Sequence, residues 1–147
     1  MPETEFILLL VEDDEAHAEL ALLTLEKQKM IGKVFHSVDG EDALDFLHQR
    51  RKYTPETAPR PNLILLDLRL PKLDGLEVLA GIKNDKVLRR IPVVVLTTSA
   101  AERDIASAYD LGVNSYLTKP VGYEELERML GDLGLYWCQW NQRTLVR

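Results

Sequence analysis

Cysteine is nearly missing. Cys138 stands alone in 147 residues, so no intrachain disulfide can form and a reducing cytosol is the expected setting. Positive charge is in deficit. Lys and Arg number 18 against 24 Asp and Glu, a net charge of −6, which weighs against nucleic acid or an anionic membrane surface as the main partner. No apolar run is long enough to span a bilayer. The start, Met1-Pro2-Glu3-Thr4-Glu5, is acidic and lacks the basic region of a signal peptide. These absences together predict a cytoplasmic protein with no membrane contact. Aromatic residues make up only 7% of the chain, yet Tyr136, Trp137 and Trp140 crowd into its last dozen positions. There is no internal repeat. The length suits one domain with a proper core, and a hydrophobic fraction of 46% is ordinary for one.

What is present is a series of short apolar runs, each ending in a polar residue. Leu63-Ile64-Leu65-Leu66 runs straight into Asp67, with Pro61 and Pro71 on either side. An unbroken run of this kind reads as a strand buried on both faces, spanning 62–67, and so as part of a parallel sheet covered by helices. Phe6 to Val11 and Val93 to Leu96 read the same way, the latter opened by Ile91-Pro92 and closed by Thr97-Thr98. Lys33 to Val38 reads as a short strand with Val34 and Val38 on one face, followed by a turn at Asp39-Gly40. Asn114 to Thr118 is the last strand and carries Tyr116.

Helical spacing appears between the strands. Leu20, Leu23, Leu22 and Leu25 recur up to about Lys29, where Gly32 stops the helix, and Asp14 is placed to cap its start. Ala43, Leu44, Phe46 and Leu47 mark a second helix, and Leu76, Leu79 and Ile82 a third that frays near Asn84. Leu70 to Gly75 reads as turn chemistry. Ser99 to Glu102 has capping-box spacing ahead of a fourth helix with Ile105, Ala108, Tyr109 and Leu111, and Gly112 ends it. A fifth helix runs from Tyr123 to Leu133. Residues 50–61 form a long loop with three prolines, expected to be tolerated rather than functional. The alternation of strand and helix, five times over, predicts a doubly wound parallel sheet.

In such a sheet the carboxyl ends of the strands open on one crevice. Glu12-Asp13, Asp67, Thr97 and Lys119 all stand at strand ends. Taken singly, each fits a helix cap or a strand terminator. Together they put two or three carboxylates in one place, where mutual repulsion favours a hard divalent cation with oxygen ligands, Mg²⁺ above all. A carboxylate beside a cation, a lysine and a hydroxyl can attack phosphorus. His17, His36 and His48 are expected on helices or mid-strand, away from this crevice.

The set Val11-Glu12-Asp13-Asp14, Leu66-Asp67 through Asp74-Gly75, Leu96-Thr97-Thr98 and Tyr116-Leu117-Thr118-Lys119-Pro120 closely resembles the receiver domain of two-component response regulators. The resemblance covers about Phe6 to Leu133. It implies a (βα)5 flavodoxin-like fold with strand order 2-1-3-4-5. It implies that Asp67 accepts a phosphoryl group from the phosphohistidine of a histidine kinase, with Thr97 hydrogen-bonded and Lys119 paired to that group. Asp13, Asp67 and the backbone carbonyl of Arg69 would hold Mg²⁺, with Glu12 acting through water. Tyr116 matches the family's switch aromatic. Thr98 stands where a smaller residue is usual, and a β-branched side chain there is placed to crowd the phosphoryl site. Arg69 and Ser99 occupy positions that tune phosphate lifetime. No turnover enzyme is implied.

The division expected is a receiver over 1–133 and an aromatic extension over 134–147 with no output domain. That extension either continues the last helix onto the receiver's own surface or makes a partner surface, since Trp and Tyr anchor interfaces. With Tyr109 and Tyr116 nearby, a homodimer is expected through Tyr109, Tyr136, Trp137 and Trp140. The tail, the long loop and the phrase from Tyr109 to Tyr116 resemble single-domain regulators associated with bacterial phytochromes, which makes a bacteriophytochrome kinase the expected partner. The rival readings are a receiver fold that binds partners without phosphate, and a Mg²⁺-dependent hydrolase built on Asp67. The hydrolase lacks a second acid or base.

Overall fold

The computed structural model describes residues 5–28 and 31–142. Five strands alternate with five helices: β1 Ile7–Val11, α1 Glu15–Glu26, β2 Lys33–Ser37, α2 Gly40–His48, β3 Leu63–Leu66, α3 Gly75–Lys83, β4 Val93–Thr97, α4 Glu102–Asp110, β5 Ser115–Thr118 and α5 Tyr123–Leu135. All strand pairs are parallel and the order is β2-β1-β3-β4-β5. The expected flavodoxin-like sheet is therefore present.

Alternation along each strand splits the core in two. Leu9, Val11, Ile64, Leu66, Val93 and Val95 face α2, α3 and α4, meeting Phe46, Leu47, Val78, Leu79 and Ile82. Leu8, Leu10, Leu63, Leu65, Val94 and Leu96 face α1 and α5, meeting Leu25, Leu126, Leu130 and Trp137. Each such side chain contributes about 1.5–3 kcal/mol by leaving water. This two-sided burial is why β3 and β4 are apolar without a break.

Register sets the crevice. Val11 pairs with Leu66, and Leu66 with Val95, so β1, β3 and β4 end nearly level. The Asp67 N–H donates to the Val11 carbonyl (3.1 Å), and the Lys119 N–H to the Thr97 carbonyl (2.7 Å). Gly75 opens α3 directly beneath: a Cβ there would lie 2.4 Å from the Asp67 carbonyl oxygen. Gly112 follows α4 at φ 98°, a left-handed turn that favours glycine.

Several local expectations need correcting. α1 ends at Glu26, and the Gly32 N–H already bonds to the Phe6 carbonyl, so Gly32 feeds β2 rather than stopping the helix. Lys29, the expected end, lies outside the described residues. β2 stops at Ser37, one residue short of Val38, which is exposed while Val34 is half-buried against the core. Asp39 is not a turn residue but the N-cap of α2, accepting from the Asp42 N–H (2.7 Å). The capping box expected at Ser99 and Glu102 is absent. Ala101 precedes α4, and the Ser99 hydroxyl instead donates to Asp104 (2.6 Å). A capping box occurs at Asp74 and Glu77, within what reads as plain turn chemistry.

The long loop is firmly anchored. Tyr53 packs edge-on against Phe46 and donates to Asp42 (2.9 Å), Ala58 is buried, and Gln49 Nε2 donates to the Ala58 carbonyl (2.9 Å). α5 runs past Leu133 to Leu135 and continues as a π-turn, Tyr136–Trp140. Among the described residues no helix is long and apolar enough to cross a membrane.

Candidate functional site

The crevice gathers the strand-end residues. Glu12, Asp67, Thr97 and Lys119 are all buried, while Asp13 is exposed at the mouth. For Glu12, Asp67 and Thr97 this burial follows from the two-sided sheet, since each is the first polar residue after a buried run, whereas Lys119 follows the half-buried β5 and the exposed Thr118.

Lys119 is the hub. Its ammonium donates to Asp67 Oδ2 (3.1 Å) and pairs with Glu12 Oε1. It also lies 3.0 Å from His17 Nδ1. The other Asp67 oxygen, Oδ1, accepts from the Arg69 N–H (3.1 Å), which brings the Arg69 backbone beside the carboxylate. Burial alone would raise the Asp67 pKa. The Lys119 charge, the Arg69 N–H and hydrogen bonds from Glu12 and Thr97 outweigh it, holding Asp67 below its ordinary range as a carboxylate. Burial pushes Glu12 the other way, to about 7, with Asp67 adding to the rise and Lys119 opposing it. The two acids are thus pushed in opposite directions, Glu12 upward and Asp67 downward.

Glu12, Asp13 and Asp67 each offer a carboxylate oxygen, and these atoms lie within 4.8 Å of one another. The donors are all oxygen, and two of the three acids are buried together. That set fits a hard divalent cation, which would relieve their repulsion.

Above the crevice, Arg69 pairs with Asp104 (3.3 Å), joining the loop after β3 to α4. Asp104 also holds Ser99, and the Ser99 carbonyl accepts from the half-buried Tyr116 hydroxyl (2.9 Å). Thr98 is exposed. Asp14 serves as the N-cap of α1, accepting from the His17 N–H (2.9 Å), as its sequence position suggests.

Two expectations fail here. His17 is not remote from the strand ends: its ring touches Lys119. His36 also reaches the site, its Nε2 lying 2.7 Å from the Glu12 carbonyl oxygen. Trp137, expected at an interface, is buried in the chain's own core against α1 and α5. Tyr109, Tyr136 and Trp140 are exposed, at 52%, 52% and 68%.

A parallel sheet that brings an ionised aspartate, a buried lysine, a hydroxyl and an acidic cluster to one edge is the arrangement of a phosphoacceptor domain. Residues 8–131 match the response regulator receiver domain, and the chain belongs to that family. It is 46% identical over 140 residues to the probable methanogenesis regulatory protein FilR2 of Methanothrix harundinacea, covering 95% of this chain and 88% of that one. It is 46% identical over 133 residues to response regulator Rcp1 of Synechocystis sp., covering 90% and 89%. The crystal structure of the Mn²⁺-bound form of Rcp1 superposes with a TM-score of 0.90 at 44% identity, covering 95% of this chain and 99% of that one. The phosphorylated cyanobacterial phytochrome response regulator RcpA gives a TM-score of 0.92 at 41% identity, covering 97% and 100%.

Proposed function

We propose that this response regulator is switched by phosphorylation of Asp67 from the phosphohistidine of a sensor histidine kinase. The contact between buried, ionised Asp67 and Lys119 carries the reading. Asp67 Oδ2 attacks phosphorus and forms a P–O bond as the P–N bond to the kinase imidazole breaks. The electron pair of that bond leaves with the imidazole, which takes up a proton. Lys119 then shifts from the carboxylate to a phosphoryl oxygen, and the Thr97 hydroxyl donates to another. Asp13, Asp67 and the Arg69 carbonyl would hold Mg²⁺, with Glu12 acting through water, and the cation's charge would stabilise the transferring oxygens.

The readout follows from the same side chains. As Thr97 moves toward the phosphoryl group, Tyr116 loses its hold on the Ser99 carbonyl and turns inward. That change biases the face made by α4, β5 and α5 between two states. An open groove of about 1020 Å³ runs along β5 and α5, lined by Leu117, Tyr123, Met129, Tyr136 and Trp137 among others. Together with the exposed side chains of Tyr109, Tyr136 and Trp140, this groove supports a homodimer. The likeness to Rcp1 and RcpA supports a phytochrome-class kinase as the partner, working in the cytoplasm.

The test is transfer from a phytochrome-class kinase labelled on its histidine. Label should move to the wild type and stay on the kinase when the acceptor is Asp67→Asn. Equal binding of both proteins to the kinase with no transfer to either would instead favour a phosphate-independent interaction module.

A further inference from the structure

We propose that His17 is a positioning residue for Lys119 in phosphoryl transfer; the inference rests on the phosphoacceptor reading above. A lysine ammonium has three N–H donors and no acceptor. Around Lys119 Nζ stand three acceptors: Glu12 Oε1, Asp67 Oδ2 at 3.1 Å and His17 Nδ1 at 3.0 Å. To accept, His17 Nδ1 must carry its lone pair, so the ring is neutral with its proton on Nε2. All three donors are then used, and the ammonium has one fixed orientation.

The three acceptors are not equivalent. Glu12 and Asp67 belong to the acidic cluster, and Asp67 is the group whose charge and shape change when phosphorus is bound. His17 is uncharged and stands outside that cluster. It sits in the first turn of α1, where its own N–H is tied to Asp14 Oδ1 (2.9 Å). It therefore holds Lys119 from the helix side whatever happens among the carboxylates. Two donors are free to follow the phosphoryl oxygens while the third keeps the ammonium at the crevice. Without the ring, the ammonium still feels both carboxylates but loses the direction that aims it toward phosphorus.

The experiment follows phosphorylation of the full chain by phosphoramidate in saturating Mg²⁺, with intact mass as the readout, for wild type, His17→Ala, His17→Asn and Asp67→Asn. An Asn side chain places its carbonyl oxygen near where Nδ1 stands. His17→Ala should be phosphorylated roughly five to ten times more slowly, the loss of about one net hydrogen bond. His17→Asn should recover to within about twofold, and Mg²⁺ affinity should be unchanged within about twofold in both, because neither touches a carboxylate. The ¹⁵N spectrum gives a readout without phosphate: Nδ1 should be the unprotonated, accepting nitrogen of the His17 ring. That nitrogen should shift when Lys119→Met removes its donor.

An unslowed His17→Ala would overturn the role, as would equal slowing of the Ala and Asn variants, which marks simple packing. A proton on Nδ1 would overturn the contact. A wild type that takes no phosphoryl group would overturn the phosphoacceptor reading itself, and the ¹⁵N signature tells that failure apart from the others.

Discussion

Lys119 meets side chains that lie 107, 52 and 102 residues away in sequence, on three different segments. Two of those meetings are legible without a structure. Glu12 and Asp67 each end an apolar run, and strand ends in a parallel sheet converge. The third is not, because His17 occupies a helical position whose direction depends on how α1 leaves β1. The available signal is its place in the first turn, four residues after Asp13, where a helix still faces the crevice. Away from the site, Asp85 shows how a local bond sets a charge. The Leu88 N–H, then Val87, hold its carboxyl below the ordinary value, with His48 3.9 Å away. A folded-state pKa below the unfolded one gives stability that is present above pH 3.8 and lost as pH falls through the lowered value. Asp85→Asn should therefore flatten the acid side of the stability curve by lowering stability at neutral pH while leaving the acid end little changed, as read by urea melts across that range.

Elements were the most legible level where packing is two-sided and the least where a polar residue had several uses. β1, β3 and β4 are plain from their apolar runs, because burial on both faces leaves no polar position. Caps were harder. Asp39 and Asp74 look like turn residues, and Ser99 looks like a cap, because the same oxygen serves a turn, a cap or a neighbouring side chain with equal chemistry. Ser99 is taken by Asp104, a choice fixed by tertiary contact. The 50–61 loop likewise looks slack in sequence, whereas Tyr53, Ala58 and Gln49 bind it to α2. Gly75 is the tightest joint between element and site. Gly75→Ala would put a methyl 2.4 Å from the Asp67 carbonyl oxygen, with backbone rather than a flexible side chain in the way. It should cost about 1–3 kcal/mol in chemical denaturation and slow phosphorylation by displacing Asp67.

For the whole molecule, the parallel sheet and its single crevice follow from the alternation of elements, whereas the strand order is what the receiver resemblance implies, and both are present. The aromatic tail is where composition misled. Three aromatics close together suggest one surface, but a helix sends neighbours in different directions. Trp137 turns into the core, while Tyr136 and Trp140 remain exposed, with α5 passing unbroken through residue 133. The variants should separate these roles. Trp137→Ala should lower stability by about 3–5 kcal/mol, as loss of a buried indole does. Tyr136→Ala and Trp140→Ala should leave stability nearly unchanged and shift sedimentation from dimer toward monomer.

The whole-molecule account depends on phosphorus reaching one carboxylate, Asp67, at the carboxyl end of the central strand β3. Intact mass after incubation with Mg²⁺ and acetyl phosphate, wild type beside Asp67→Asn, tests it most directly. The account predicts one added phosphoryl group on the wild type and none on the variant. An adduct on both, or on neither with divalent cation bound and rapid trapping, would contradict it.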